Sequence, residues 1–290
     1  MTPRIYRLFE QLTLGVFLIL ALGSCSSERD ENPTGELTAL DLSDQSYGPN
    51  STQLLDVYLP AGRSIEKTPL LIYIHGGAWI EGSKDEFKQF KNSLSSAFPE
   101  YAFVSINYSL YNLANGTNKF PTQENDVIEA ISYVVSKTDE WNISDTIILA
   151  GASAGGHLAL LHAYKHKPFG NIKAVVAFFP PTDLAELYDF SFLTVTGLGG
   201  LLGGNPGERP EAYAASSPIT FVDSQSVPTI FFHGTDDTVV PISQSFLLEK
   251  ALTEADVAHN FIIVPNQGHG FALQTYPSLF QQAAIFINEL

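Results

Sequence analysis

Short apolar runs rich in β-branched and aromatic residues recur along the chain, separated by polar stretches that carry helical spacing. Residues 53–60 (QLLDVYLP), 69–76 (PLLIYIHG) and 101–108 (YAFVSINY) read as strands. So do the run that opens at Ile147 and Ile148, and residues 172–180 (IKAVVAFFP), 228–234 (PTIFFHG) and 261–265 (FIIVP). Residues 120–137 set Val127, Ile131, Val134 and Val135 on one face of a helix that opens near Pro121. Residues 242–255 and 276–290 read as the helices that follow the last two strands. Strands that alternate with helices, several of them apolar on both faces, predict an α/β fold with a mostly parallel central sheet covered on both sides. The stretch 183–220 breaks this rhythm. It is Gly- and Pro-rich and too long for a plain connector, so it is expected to form a lid or pocket wall over the sheet edge.

The first residues follow another pattern. Arg4 and Arg7 precede an apolar run, Leu12 to Leu22, which is short for a bilayer span and leads into GSC. This is the layout of a secretory signal, expected to cover residues 1–24. Cys25 is the single cysteine of the chain, so no internal disulfide can form. A polar stretch, SSERDENPTGE, follows it and suits a solvated tether over 25–50, with the folded domain expected over 51–290. The chain holds 15 Lys and Arg against 31 Asp and Glu, a formal net charge of −16. A surface of that sign argues against nucleic acid as a partner.

Chemistry concentrates in IILAGASAGGHLALL (147–161), where Gly151, Ala152, Ala154, Gly155 and Gly156 surround one hydroxyl, Ser153. A strand that turns directly into a helix brings two backbones close together, and small residues make room for that turn. The pattern is G-x-S-x-G, with a strand before it and a helix after it, which lifts a serine hydroxyl into the open. Such a serine needs a base and a group to orient the base. His157, His162 and His166 fall along the following helix, His259 falls at the wrong end of its strand, and His75 and His233 run into glycines as hydrogen-bonding loop residues. His269, in NQGHGF after the last strand, is left as the base. HGTDDTVVP (233–241) offers Asp236 and Asp237 for the carboxylate, and spacing does not choose between them. HGGAW (75–79) and the N–H of Ala154 supply backbone donors for an oxyanion. No His/Asp cluster has metal-ligand spacing, and no cofactor is implied.

HGGAW, GASAGGHLAL, HGTDDTVVP and GHGF, in that order, resemble an α/β-hydrolase of the esterase/lipase group. The HGG stretch is similar to the hormone-sensitive-lipase branch. FFPPTDL (178–184) and residues 201–222 resemble the small carbohydrate-ester esterases related to bacterial feruloyl and acetylxylan esterases. The resemblance covers roughly residues 50–290 and implies a Ser153, His269 and Asp237 triad, with oxyanion donors at Gly77, Ala78 and Ala154. The expected function is hydrolysis of a small acyl ester, with an acylated glycan as candidate substrate. A small-substrate amidase, a prolyl-oligopeptidase-like peptidase and a silent binding module are the alternatives. The pocket is expected near Trp79, Tyr108, Tyr111 and the 183–220 stretch. One departure is that relatives carry Arg where this chain has Ser109, so the pairing of that Arg with Asp126 is lost.

LGSC (Leu22 to Cys25) resembles a bacterial lipobox, which implies cleavage before Cys25, acylation of its thiol and residence on an extracytoplasmic membrane face. Two acyl chains anchor a protein stably where one chain is marginal. Cys25→Ser should therefore move the protein from the membrane fraction to the soluble or unprocessed pool, with turnover per folded molecule unchanged. Metabolic labelling with a palmitate analogue checks this: a wild-type chain that takes up no label rules out the anchor.

Overall fold

The computed structural model describes residues 37–167 and 170–290; the signal segment, the LGSC motif and Cys25 lie outside the described residues. Eight strands form one sheet in the order β1-β2-β4-β3-β5-β6-β7-β8. They are β1 (Leu40–Ser46), β2 (Leu54–Leu59), β3 (Leu70–Ile74), β4 (Ala102–Ile106), β5 (Thr146–Ala152), β6 (Asn171–Phe178), β7 (Thr229–Gly234) and β8 (His259–Val264). The β1–β2 and β2–β4 pairings are antiparallel and the other five are parallel. The helices are α1 (Lys91–Ala97), α2 (Thr122–Trp141), α3 (Ala154–Lys165), α4 (Leu184–Leu187), α5 (Phe192–Leu202), α6 (Pro210–Ser216), α7 (Ser243–Glu254) and α8 (Tyr276–Asn288).

The two-residue period of the strands divides the core. Leu70, Ile72 and Ile74 of β3 face a cluster completed by Leu149, Val175 and Phe231 from the sheet, and by Val127, Ile131 and Val134 of α2 and Leu158 of α3. Leu71 and Tyr73 face the other side, with Ile148, Val176, Phe232 and the inner residues of α8, Leu279, Phe280 and Ile287. Every residue of β3 and β4 is buried, so these strands read as largely apolar runs; the one polar member of β4, Ser105, donates to the Lys84 carbonyl at 2.7 Å. Removing a single such side chain, as in Ile72→Ala, costs about 2–5 kcal/mol.

The sheet begins earlier than expected. β1 lies inside the 25–50 stretch read as tether, and it pairs with β2 through a bulge between Leu42 and Gln45. Its sequence, LDLSDQS, is polar and mostly exposed, as an edge strand must be, so no apolar alternation betrays it. The 183–220 stretch folds as α4, α5, α6 and a 3₁₀ turn, Pro218–Phe221. It is fastened to α3, because His157 Nε2–H donates to the Ser216 carbonyl at 2.6 Å. The other ring nitrogen, Nδ1, accepts from Trp79 Nε1–H at 3.3 Å. No helix among the described residues is long and apolar enough to cross a membrane.

His157 is fully buried and His75 nearly so, and burial pushes both imidazoles down to a pKa of about 4. In the unfolded chain each titrates near 6.5, so between these values the unfolded state binds protons that the folded state refuses. The stability held by the neutral rings is complete above about pH 6.5 and falls as pH drops toward 4, by about 3 kcal/mol at most for each ring. The urea midpoint should decline across that interval, and His157→Gln should make the decline shallower. A midpoint with no pH dependence in either protein would contradict this.

Candidate active site

Ser153 joins β5 to α3 with φ 52° and ψ −122°, a left-handed conformation that costs a non-glycine residue about 1–3 kcal/mol. Its surroundings hold it there. Ser153 N–H donates to the Phe178 carbonyl at 2.8 Å, and its own carbonyl accepts from His157 N–H at 2.9 Å. A β-carbon on Gly151 would meet the Gly155 carbonyl carbon at 2.4 Å, and one on Gly155 would meet the Ile74 carbonyl oxygen at 2.0 Å. The hydroxyl does not cap the helix it precedes. It lies 2.9 Å from His269 Nε2.

His269 sits in the loop after β8, beside Gly270 at φ +82°, and its ring packs edge-on against Phe179. Its Nδ1 is 2.8 Å from Asp237 Oδ2. An ionised carboxylate only accepts, so Nδ1 carries the proton and Nε2 presents a lone pair to the serine hydroxyl. Asp237 Oδ1 accepts from the N–H groups of Val239 at 2.8 Å and Val240 at 2.9 Å. His233, buried at the end of β7, brings Nε2 to within 3.3 Å of Asp237 Oδ2 and 2.9 Å of the Val240 carbonyl. Ser245 Oγ lies 2.7 Å from its Nδ1 and donates to it. Asp237 thus accepts three hydrogen bonds, and the His233 Nε2–H, shared with the Val240 carbonyl, approaches its Oδ2 as well. Burial acts to raise its pKa, but the hydrogen bonds from His233 and His269 outweigh that, and the net pKa is well below the carboxylate range. Asp236, the alternative in spacing, is exposed, and among the described residues its side chain accepts from Thr235 Oγ1–H at 2.8 Å. The sequence reads His233 as a loop hydrogen bonder; its position four residues before Asp237 is the signal that ties it to the carboxylate.

The turn after β3 carries the other predicted residues. Gly77, Ala78 and Trp79 have φ of 103°, 51° and 63°, a left-handed run that bends the backbone sharply, and the Gly77 carbonyl accepts from the N–H groups of Ile80 and Glu81. A β-carbon on Gly77 would meet the Glu81 carbonyl oxygen at 2.1 Å. Gly76 N–H is engaged by Glu86 Oε2 at 3.3 Å. Ala154 opens α3, where backbone N–H groups have no intrahelical partner.

A cavity of about 290 Å³ opens onto Ser153, His269 and Gly77. Its walls differ from the expected ones. Phe90, Phe179, Phe271, Leu273 and Tyr276 line it, with Glu86 and Gln89. Trp79, Tyr108 and Tyr111 are instead buried in the core. At the departure from the relatives' pattern, Asp126 is buried and held by neutral donors, Ser109 N–H at 2.6 Å and Gln53 Nε2–H at 2.9 Å.

A mostly parallel sheet with a serine at the strand-to-helix elbow, followed in chain order by a carboxylate and an imidazole that converge on it, defines an α/β-hydrolase. The chain belongs to the BD-FAE family, whose profile matches residues 55–252. It is 30% identical to esterase LipQ of Mycobacterium tuberculosis, over 81% of this chain and 58% of that protein. It is 27% identical to esterase LipC of the same organism, over 84% of this chain and 64% of that protein. The chain therefore spans about three-fifths of the length of these curated relatives. The solved structure of a truncated carbohydrate esterase from gut microbiota superposes with a TM-score of 0.71 at 26% identity, covering 86% of this chain and 97% of that one.

Proposed function

We propose that the chain is a serine carboxylic-ester hydrolase that cleaves a small acyl ester, acetyl or feruloyl, from a carbohydrate alcohol. The observation that carries this reading is the unbroken line from Ser153 Oγ through His269 to Asp237, with links of 2.9 and 2.8 Å. Ser153 Oγ attacks the ester carbonyl carbon as its proton passes to His269 Nε2, and Asp237 stabilises the imidazolium that results. The carbonyl oxygen becomes an oxyanion received by the N–H groups of Gly77, Ala78 and Ala154. His269 then gives its proton to the departing alkoxide, leaving an acyl-serine. A water then passes its proton to His269 and attacks the acyl carbon; the bond to Ser153 Oγ breaks, Oγ takes the proton back from His269, and the acid is released.

The cavity of about 290 Å³ beside Ser153 suits a small sugar ester, and the names of the similar proteins, esterases and a carbohydrate esterase, support the substrate class. Under this reading the enzyme works outside the cytoplasm as a lipoprotein held through acylated Cys25, for which the basic leader, short apolar run and LGSC are the support.

Ser153→Ala should lower kcat for an aryl acetate by at least about 10³-fold, and Asp237→Asn by about 10²- to 10⁴-fold, with both variants still folded. Steady-state kinetics with thermal unfolding as a control checks both. A folded Ser153→Ala enzyme with wild-type turnover would refute the proposal.

A further inference from the structure

We propose that Glu86 determines the specificity of this site, accepting hydroxyl hydrogens from a neutral, polyhydroxylated alcohol and turning away esters whose alcohol carries a negative charge. The inference rests on the ester-hydrolase reading above and names the class of alcohol that the cavity selects.

Glu86 belongs to the 3₁₀ turn Lys84–Gln89, and its half-buried side chain shares the cavity with Ser153 and His269. Two protein donors fix the carboxylate. Tyr73 Oη–H donates to Oε1 at 2.6 Å, and Gly76 N–H approaches Oε2 at 3.3 Å. Burial and the adjacent Glu86 charge push the Tyr73 phenol well above its ordinary pKa, so Tyr73 stays a donor and Glu86 the acceptor. A carboxylate has about four acceptor positions, which leaves about two for a ligand.

No base neutralises it. The neighbouring lysines are committed elsewhere: Lys84 Nζ lies 2.8 Å from both Asp44 and Asp56, and Lys88 Nζ lies 2.6 Å from Asp85. Among the described residues no basic side chain forms an ion pair with Glu86. Four aromatic rings, Phe90, Phe179, Phe271 and Tyr276, line the cavity beside it, with Leu273 and the neutral Gln89. An unpaired anion among aromatic rings, in a chain of net charge −16, raises the cost of a second anion entering the same cavity. A pyranose or furanose ester meets both features, with its C–H face against a ring and its hydroxyls toward the carboxylate.

The test compares kcat/KM for mono-O-acetyl methyl xyloside with that for mono-O-acetyl methyl glucuronoside, which adds a carboxylate to a similar ring. The wild type should favour the neutral ester by about tenfold or more, and Glu86→Gln should bring that ratio down by at least about fivefold. Tyr73→Phe keeps the charge and should keep the preference. The wild-type preference should also shrink as salt rises from 20 to about 500 mM, where screening is strong; this measurement needs no variant. A ratio unchanged within twofold in a folded Glu86→Gln enzyme overturns the proposal, as does a wild-type ratio near one or one insensitive to salt. Turnover of both esters that disappears in Ser153→Ala, alongside an unchanged ratio, would overturn the Glu86 assignment alone and leave the hydrolase reading intact.

Discussion

The close approach of the β3 and α3 backbones governs the rest of the molecule. The Gly155 α-carbon sits so near the end of β3 that a β-carbon would stand 2.0 Å from the Ile74 carbonyl oxygen. That approach makes the turn between β5 and α3 abrupt, and an abrupt turn forces Ser153 to φ 52°. Strain of this kind persists only when surrounding bonds over-determine it, which the Phe178 carbonyl and the first turn of α3 do here. The same approach sets the HGG turn beside the elbow, since a β-carbon on Gly76 would already press on the Ala152 carbonyl oxygen at 3.1 Å. Hydroxyl and backbone donors therefore share one end of the sheet because two backbones pack without side chains between them.

Electrostatics completes what packing begins. Asp237 could be buried only if its lone pairs were filled, because an unpaired buried charge is costly. Val239 and Val240 fill one oxygen, and His269 and His233 the other. Ser245 donates to His233 and so leaves the proton on His233 Nε2, where the Val240 carbonyl and Asp237 share it. A fixed anion then holds the His269 proton on Nδ1, which turns the Nε2 lone pair toward Ser153. Asp126 follows the same rule without any cation, through Gln53 and Ser109.

What the sequence disclosed follows from which features leave a local trace. Buried parallel strands such as LLIYI and AFVSI write themselves as apolar runs, and a strand–Gly–x–Ser–x–Gly–helix passage writes the elbow. His269 stood out because glycines flank it after the last strand. Asp237 could not be separated from Asp236 by spacing; its fit to the family pattern and its burial against His269 separate them. β1 was illegible because an edge strand is polar by need. The cavity walls were illegible because Phe90, Phe271 and Tyr276 come from segments far apart in the chain, and nothing local says that they meet. Trp79 lies outside the cavity for a related reason: its aromatic side chain, next to the HGG turn, is bonded to the distant His157.

The central claim is that Ser153 is a nucleophile activated by His269 and Asp237. Incubation with a 4-nitrophenyl organophosphonate, followed by intact mass spectrometry and peptide mapping, tests it most directly. The account predicts one adduct per chain, on Ser153, formed much more slowly in Asp237→Asn. An adduct on another residue, or none in a folded wild-type protein, would contradict it.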